Sequence, residues 1–158
     1  LCGVNDRGQL LQCYAYGNVV LDCRQMSNGF YLGGLCGYSG CFNDPGYNPH
    51  VYGTMDPSED AIIQDCVAFG NVSLIIADTE NDPVAEFGGL IGRGDGVIGN
   101  SYRSEAQAVE GFGTANEIGT PVSLEEAQKA AFYRDTLYWS DEVWHLEDGL
   151  VPTLKALE

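Results

Sequence analysis

An all-β fold made by stacking short repeated units is predicted by three observations on this 158-residue chain. Glycine is abundant, the apolar segments are strand-sized, and two short words recur in order. Glycine supplies 21 of the 158 residues, about 13% against a usual ~7%, which argues for many tight corners and against a helical bundle. Apolar stretches such as Val19–Leu21 and Val72–Ala77 suit strands and fall far short of the roughly 18 residues of a membrane span.

The first word is Gly-Gly-Leu-x-Gly. It reads Gly33-Gly34-Leu35-Cys36-Gly37 and again Gly88-Gly89-Leu90-Ile91-Gly92, and the chain opens on its remainder, Leu1-Cys2-Gly3. The second word is Gln12-Cys13-Tyr14-Ala15-Tyr16-Gly17-Asn18-Val19, repeated as Asp65-Cys66-Val67-Ala68-Phe69-Gly70-Asn71-Val72. A third copy, Asn100-Ser101-Tyr102-Arg103, departs from the pattern at Arg103 and Ser104. Such self-similarity marks a repeat architecture. The units are 1–32, 33–87 and 88–119, followed by a tail, 120–158. The second unit is lengthened by an insert over 39–60 with Pro45, Pro49 and Pro57, expected as a loop on one face. The chain reads as a piece of a longer polypeptide, with its first unit open on the N-terminal side.

Each word has a local physical meaning. Small and aromatic residues alternate in Cys13-Tyr14-Ala15-Tyr16, which is strand periodicity with the small side chains facing a narrow interior. Gly17-Asn18 and Gly70-Asn71 are expected to turn the chain through positive φ. Units stacked in register set equivalent residues about 4.8 Å apart. Asn18 then lies over Asn71, and stacked amides hydrogen-bond along the ladder. Cys13, Cys66 and Ser101 form a second column, and Cys2, Cys36 and Ile91 a third.

The tail differs in character. Ser123-Leu124-Glu125-Glu126 is a capping box for a helix ending near Thr136, with Leu124, Ala127 and Ala131 on one face. Trp139 and Trp144 follow, then Asp148-Gly149-Leu150-Val151-Pro152-Thr153-Leu154. Bare strand edges template aggregation, so this helix and its Trp-rich sequel are expected to cover the end of the stack.

The pairing of Gly34-Leu35-Cys36-Gly37 and Gly89-Leu90-Ile91-Gly92 with the Cys-Tyr-Ala-x-Gly-Asn-Val word resembles the GLUG repeat family. The Glu-rich helix, Trp and Asp-Gly-x-x-Pro-Thr-Leu ending resemble the close of such arrays. The resemblance covers nearly the whole chain outside the 39–60 insert. It implies a right-handed parallel β-helix, here its C-terminal end with a short α-helical, Trp-rich cap; the alternative architecture is an irregular β-sandwich. It also implies bacterial secreted or cell-surface proteins, adhesin-like or adjoining peptidase domains that cleave immunoglobulin A. The family supplies no catalytic residue to carry across.

Composition excludes some functions. Seven Lys and Arg against 23 Asp and Glu give a formal charge of −16, which repels nucleic acid and anionic membrane surfaces. A 44% apolar share excludes a disordered acidic tail. Catalytic patterns are thin: His50 and His145 stand alone, and neither H-E-x-x-H nor G-x-S-x-G occurs. Gly94-Asp95-Gly96-Val97-Ile98-Gly99 matches G-x-G-x-x-G, but a strand rather than a helix is expected after it. No cofactor is expected.

Three features carry weaker chemistry. Arg93-Gly94-Asp95, in a glycine-flanked turn, presents a cation and a carboxylate to a receptor, or is simply a turn. Asp78, Glu80 and Asp82 alternate as calcium ligands do, but Pro83 and the missing Glu at the twelfth position favour a solvated acidic loop. Cys13 and Cys66 read as small core residues. Neighbouring strands lie within disulfide reach, which makes Cys2–Cys36 and Cys23–Cys41 the pairs to examine, although the chain length demands neither.

The leading expectation is a non-catalytic structural or display module, whose partners are other domains of its own polypeptide. Gly34, Leu35, Gly37, Cys13, Gly17, Asn18, Cys66, Gly70, Asn71, Gly89, Leu90, Gly92, Trp139 and Trp144 are its structural residues. The alternatives are a binding module for a host protein or glycan, through the insert (Phe42, Tyr47, Tyr52) or the Arg93 turn, and a carbohydrate-active β-helix enzyme.

Overall fold

The computed structural model describes residues 2–23, 30–40, 61–76, 85–113 and 115–155. Over the described residues the chain makes three passes, each contributing five short strands. The first holds β1 (Cys2–Asp6), β2 (Gln9–Leu11), β3 (Tyr14–Ala15), β4 (Val19–Cys23) and β5 (Phe30–Gly33). The second holds β6 (Cys36–Gly40), β7 (Ile62–Gln64), β8 (Val67–Ala68), β9 (Val72–Ile76) and β10 (Ala85–Gly88). The third holds β11 (Ile91–Gly94), β12 (Val97–Gly99), β13 (Tyr102–Ser104), β14 (Val109–Glu110) and β15 (Ala115–Asn116). Each strand pairs in parallel with its counterpart one pass away, giving five parallel sheets. Antiparallel pairing among the described residues is confined to β17 (Trp144–His145) with β18 (Thr153–Leu154).

The register follows the repeated words. Cys2 pairs with Cys36 and Cys36 with Ile91. Tyr14 pairs with Val67 and Val67 with Tyr102. The third copy keeps this register despite its altered residues, with Arg103 opposite Ala68. Leu35 and Leu90, both buried, are joined by a 2.9 Å hydrogen bond from the Leu35 N–H to the Leu90 carbonyl. An interior cluster unites Ala15, Leu35, Cys36, Ile63, Cys66, Ala68, Leu90 and Ile91. Each large aliphatic side chain there contributes roughly 1.5–3 kcal/mol by leaving water.

The Cys13–Cys66–Ser101 column forms as the words imply. The Cys13 N–H donates to Cys66 Sγ at 3.4 Å, and the Cys66 N–H to Ser101 Oγ at 3.2 Å. The asparagine column works differently from an amide ladder. Asn18 Oδ1 accepts from the Asn71 backbone N–H at 2.9 Å, and Asn71 Oδ1 from the Ala108 N–H at 3.0 Å. Each side chain thus satisfies a backbone donor of the next pass at a corner where strand pairing is interrupted.

Positive φ falls elsewhere than expected. No residue of the Gly17-Asn18 and Gly70-Asn71 pairs adopts it; Gln12 (φ 51°), Asp65 (φ 55°) and Asn100 (φ 38°), at one equivalent corner of the three passes, do. Gly70 answers a different need: a Cβ there would collide with the Gly17 carbonyl beneath it. The 39–60 insert also begins later than its sequence suggests. Ser39 and Gly40 belong to the wholly buried β6, and 41–60 lie outside the described residues.

After β15 the chain does not begin another full pass. Three residues lead to β16 (Thr120–Val122), a fourth strand beside β13, so the sheet extends past the expected boundary at residue 119. Gly119 (φ 97°) turns this shortcut against Leu90, and Ile118 packs on the interior cluster. It is this crossing segment that lies over the interior after the third pass.

The tail goes somewhere else. Val122, Ala127, Ala130, Phe132, Tyr133, Leu137, Trp139, Trp144 and Leu146 form a second cluster with Val67, against which Tyr14, Phe69 and Tyr102 pack. Ala68 on the same strand belongs to the interior cluster, so the tail covers the opposite, outward face of the β3–β8–β13–β16 sheet. The expected end cover is therefore a lateral brace, seated on the aromatic face that the words create. The predicted helix is also interrupted. Ser123 caps Leu124–Ala127, its side chain accepting from the Glu126 N–H at 3.1 Å, while the Glu126 carboxylate turns to Lys129 at 2.7 Å. A π-helical turn, Phe132–Thr136, follows. Leu124 and Ala131 are exposed; Ala127, Ala130, Phe132, Tyr133 and Leu137 make the buried face instead.

Gly70→Ala is expected to destabilise the fold by about 1–3 kcal/mol through overpacking. Gly17→Ala, with nothing within 4 Å of its added Cβ, is expected to stay within about 0.5 kcal/mol of wild type. Urea unfolding of the two variants measures this; equal losses would contradict the asymmetry of the close approach.

Candidate functional site

The Arg93-Gly94-Asp95 segment enters the structure as the end of β11 and the bend after it. Arg93 Nη1 is ion-paired with Glu86 Oε1 at 2.9 Å, and the guanidinium lies 5.7 Å from the centre of the Tyr31 ring. Glu86, then Tyr31, push the Arg93 pKa upward. Asp95 Oδ2 accepts from the Tyr38 hydroxyl at 3.1 Å, and the Tyr31 and Tyr38 rings meet at 5.5 Å. Both charged ends of the motif are thus engaged within the chain, as in a structural turn. The ion pair is about 40% exposed on each side, so it contributes little to stability.

The other expected sites separate. Asp78, Glu80 and Asp82 lie outside the described residues, as do Phe42, Tyr47, Tyr52, His50 and Cys41. Among the described residues no group of three or more His, Cys, Asp or Glu is placed to hold a metal ion. Strand β12 ends the G-x-G-x-x-G stretch and no helix follows, so a pyrophosphate has no helix N-terminus there. Ser39 is buried and accepts from Asn5 Nδ2 at 3.1 Å, and Ser101 Oγ donates to the Gly99 carbonyl at 2.7 Å. Neither contact supplies a general base. His145 is exposed, 3.5 Å from Glu147.

Cys2, Cys13, Cys23, Cys36 and Cys66 are free thiols. Cys2 stacks on Cys36 and Cys13 on Cys66, each pair joining a half-buried thiol to a fully buried one. Cys23 pairs with Ile76. The neighbouring Cys66 side chain holds the Cys13 pKa down to about 7. Cys66 itself is pushed up, by its Cys13 neighbour and by burial. Burial pushes Cys36 up to about 12.

The outward face and the tail together line a small open cleft of about 50 Å³ that the words alone do not reveal. Tyr14, Tyr16 and Phe69 form one wall; Leu124, Gln128 and Leu150 stand opposite. The Tyr14 and Tyr16 rings lie within 14° of parallel with centres 6.0 Å apart. Burial pushes the Tyr14 phenol up to about 12. No lining residue is charged, which sets the cleft apart on a chain of net charge −16. The alternation in Tyr14-Ala15-Tyr16 signals one wall; the other requires knowing where the tail runs.

Protein-family models, curated proteins and solved structures give no match to this chain. Among the described residues no helix is long and apolar enough to cross a membrane.

Alkylation of Cys13 by iodoacetamide is expected to rise through a midpoint near pH 7 and to level off about one unit higher, because the thiolate is the reacting form. Peptide mass spectrometry after brief labelling across pH 5–9 reads this. A midpoint at the ordinary thiol value would show that the Cys66 contact does not stabilise the anion.

Proposed function

We propose that this chain is a non-catalytic structural and display module, the C-terminal end of a right-handed parallel β-helix of the GLUG-repeat kind. Its setting is a bacterial secreted or cell-surface, adhesin-like polypeptide whose other domains are its partners. One observation carries the reading: the polar side chains of the repeated words are spent on stacking. Asn18, Asn71, Cys66 and Ser101 each accept from the backbone of a neighbouring pass. Residues so engaged hold passes in register, which is what a structural module requires of them.

The test is surface biotinylation of the producing bacterium, followed by a screen of the purified chain on polysaccharides with reducing-end detection. Labelling at the surface and absence of turnover are expected. Turnover abolished by a single Asp→Asn substitution would replace the module with an enzyme.

A second reading, a binding module for a neutral glycan, is favoured by the uncharged aromatic cleft rather than by the internally paired Arg93 and Asp95. An array of neutral and acidic glycans separates the readings. Binding of neutral glycans that is lost in Tyr16→Ala and retained in Asp95→Ala supports the cleft.

A further inference from the structure

Cys13 and Cys66 stand directly one above the other. The residues that follow them, Tyr14 and Val67, are paired in parallel register, which sets equivalent Cα atoms about 4.8 Å apart, inside the 4.4–6.8 Å window of disulfides. The Cys13 N–H reaches Cys66 Sγ at 3.4 Å. The pair is asymmetric. Cys13 is half-buried, whereas Cys66 is fully buried in the interior cluster, its thiol 3.2 Å from the Gln64 carbonyl. An accessible thiol backed by a sequestered one is the arrangement of a reacting and a resolving cysteine.

We propose that Cys13 and Cys66 form an oxidant-sensitive pair that closes to a disulfide between the first and second passes, with hydrogen peroxide as the oxidant. The Cys13 thiolate attacks one peroxide oxygen. An S–O bond forms, the O–O bond breaks, and the departing hydroxide takes a proton to become water. The Cys66 sulfur then attacks the Cys13 sulfur, the new S–O bond breaks, and the second hydroxide leaves as water with the Cys66 proton. Two thiols and one peroxide give one disulfide and two waters; the sulfurs lose the two electrons that the peroxide gains. The lowered pKa of Cys13 keeps it in its reactive form near neutral pH. The product ties residue 13 to residue 66 across the 39–60 insert, cross-linking a long loop in the unfolded chain.

The Cys2–Cys36 pair is the internal comparison, equally in register and with a buried inner thiol, but its outer residue's N–H goes to the Leu35 carbonyl rather than to the partner sulfur. The intact chain is treated with hydrogen peroxide at pH 7.5, quenched by alkylation and mapped by peptide mass spectrometry. The expected result is a Cys13–Cys66 linked peptide appearing several-fold faster than a Cys2–Cys36 one. Dithiothreitol should reverse it, and it should bring a higher thermal midpoint than the reduced chain. Cys36→Ser is expected to leave the link intact. In Cys66→Ser, Cys13 is expected to proceed to sulfinic acid. Because Cys66 is buried and its variant is at risk of misfolding, Cys13→Ser serves beside it and should leave Cys66 unmodified. Peroxide that converts wild-type Cys13 to sulfinic acid without the link, or that links Cys2 to Cys36 first, overturns the proposal.

Discussion

Parallel hydrogen bonding between a residue and its counterpart one pass away governs most other features of this molecule. A parallel ladder in register brings like residues to one strand spacing, so whatever is tolerated once must be tolerated on top of itself. Small residues satisfy that inside: Ala15 over Ala68, and Cys13 over Cys66 over Ser101. Arg103 is the exception. It occupies the alanine column in the third pass, and its Nε is buried without a hydrogen-bond partner, as is Gln107 Oε1. Gln107 is otherwise well placed, donating to the Gly70 and Gly89 carbonyls. Both residues lie against Gly89, where a Cβ would meet them. The irregular third pass thus keeps the register while exchanging apolar filling for polar bridging.

The tail shows how a sheet face with aromatic residues recruits cover. At the corner before that sheet, each pass turns through a left-handed residue, a conformation that Asn and Asp tolerate better than most. The same corners anchor the tail. Gln12 Nε2 donates to the Tyr138 carbonyl at 2.8 Å, Trp139 Nε1 to the Asp65 carbonyl at 2.8 Å, and Asn100 Nδ2 to the Thr136 carbonyl at 2.6 Å. Asn100 also donates to Asp65 Oδ1 at 2.6 Å, linking two corners directly. Trp139 and Trp144 stack at 4.3 Å beneath this line. The Asp148-Gly149 word closes the brace from below, Asp148 Oδ1 accepting from the Ala130 N–H and the Gly149 N–H donating to the Gln128 carbonyl, both at 2.8 Å.

Register and interior were legible because repetition along the chain becomes proximity in space. Leu35 and Leu90 share a word, and they share a hydrogen bond. The path of the tail was not legible, because its seat is assembled from Gln12, Asp65 and Asn100, whose side chains differ and whose common trait is a backbone angle. The cap signal at Ser123 was correct as far as its N-terminus, but the apolar periodicity beyond it belonged to a π-helical turn, which shifts the buried face from Leu124 and Ala131 to Phe132, Tyr133 and Leu137. The aromatic cleft was half visible for the same reason. At Gly70 the glycine surplus supplies clearance for a neighbouring backbone rather than the conformational freedom that composition suggests.

A support fastened to three consecutive layers makes those layers interdependent. Its anchor points lie one in each pass. Excising the middle layer would bring Gln12 where Asp65 stood and strand the indole of Trp139 one storey out of place, so such a deletion would unseat the brace rather than merely shorten the stack.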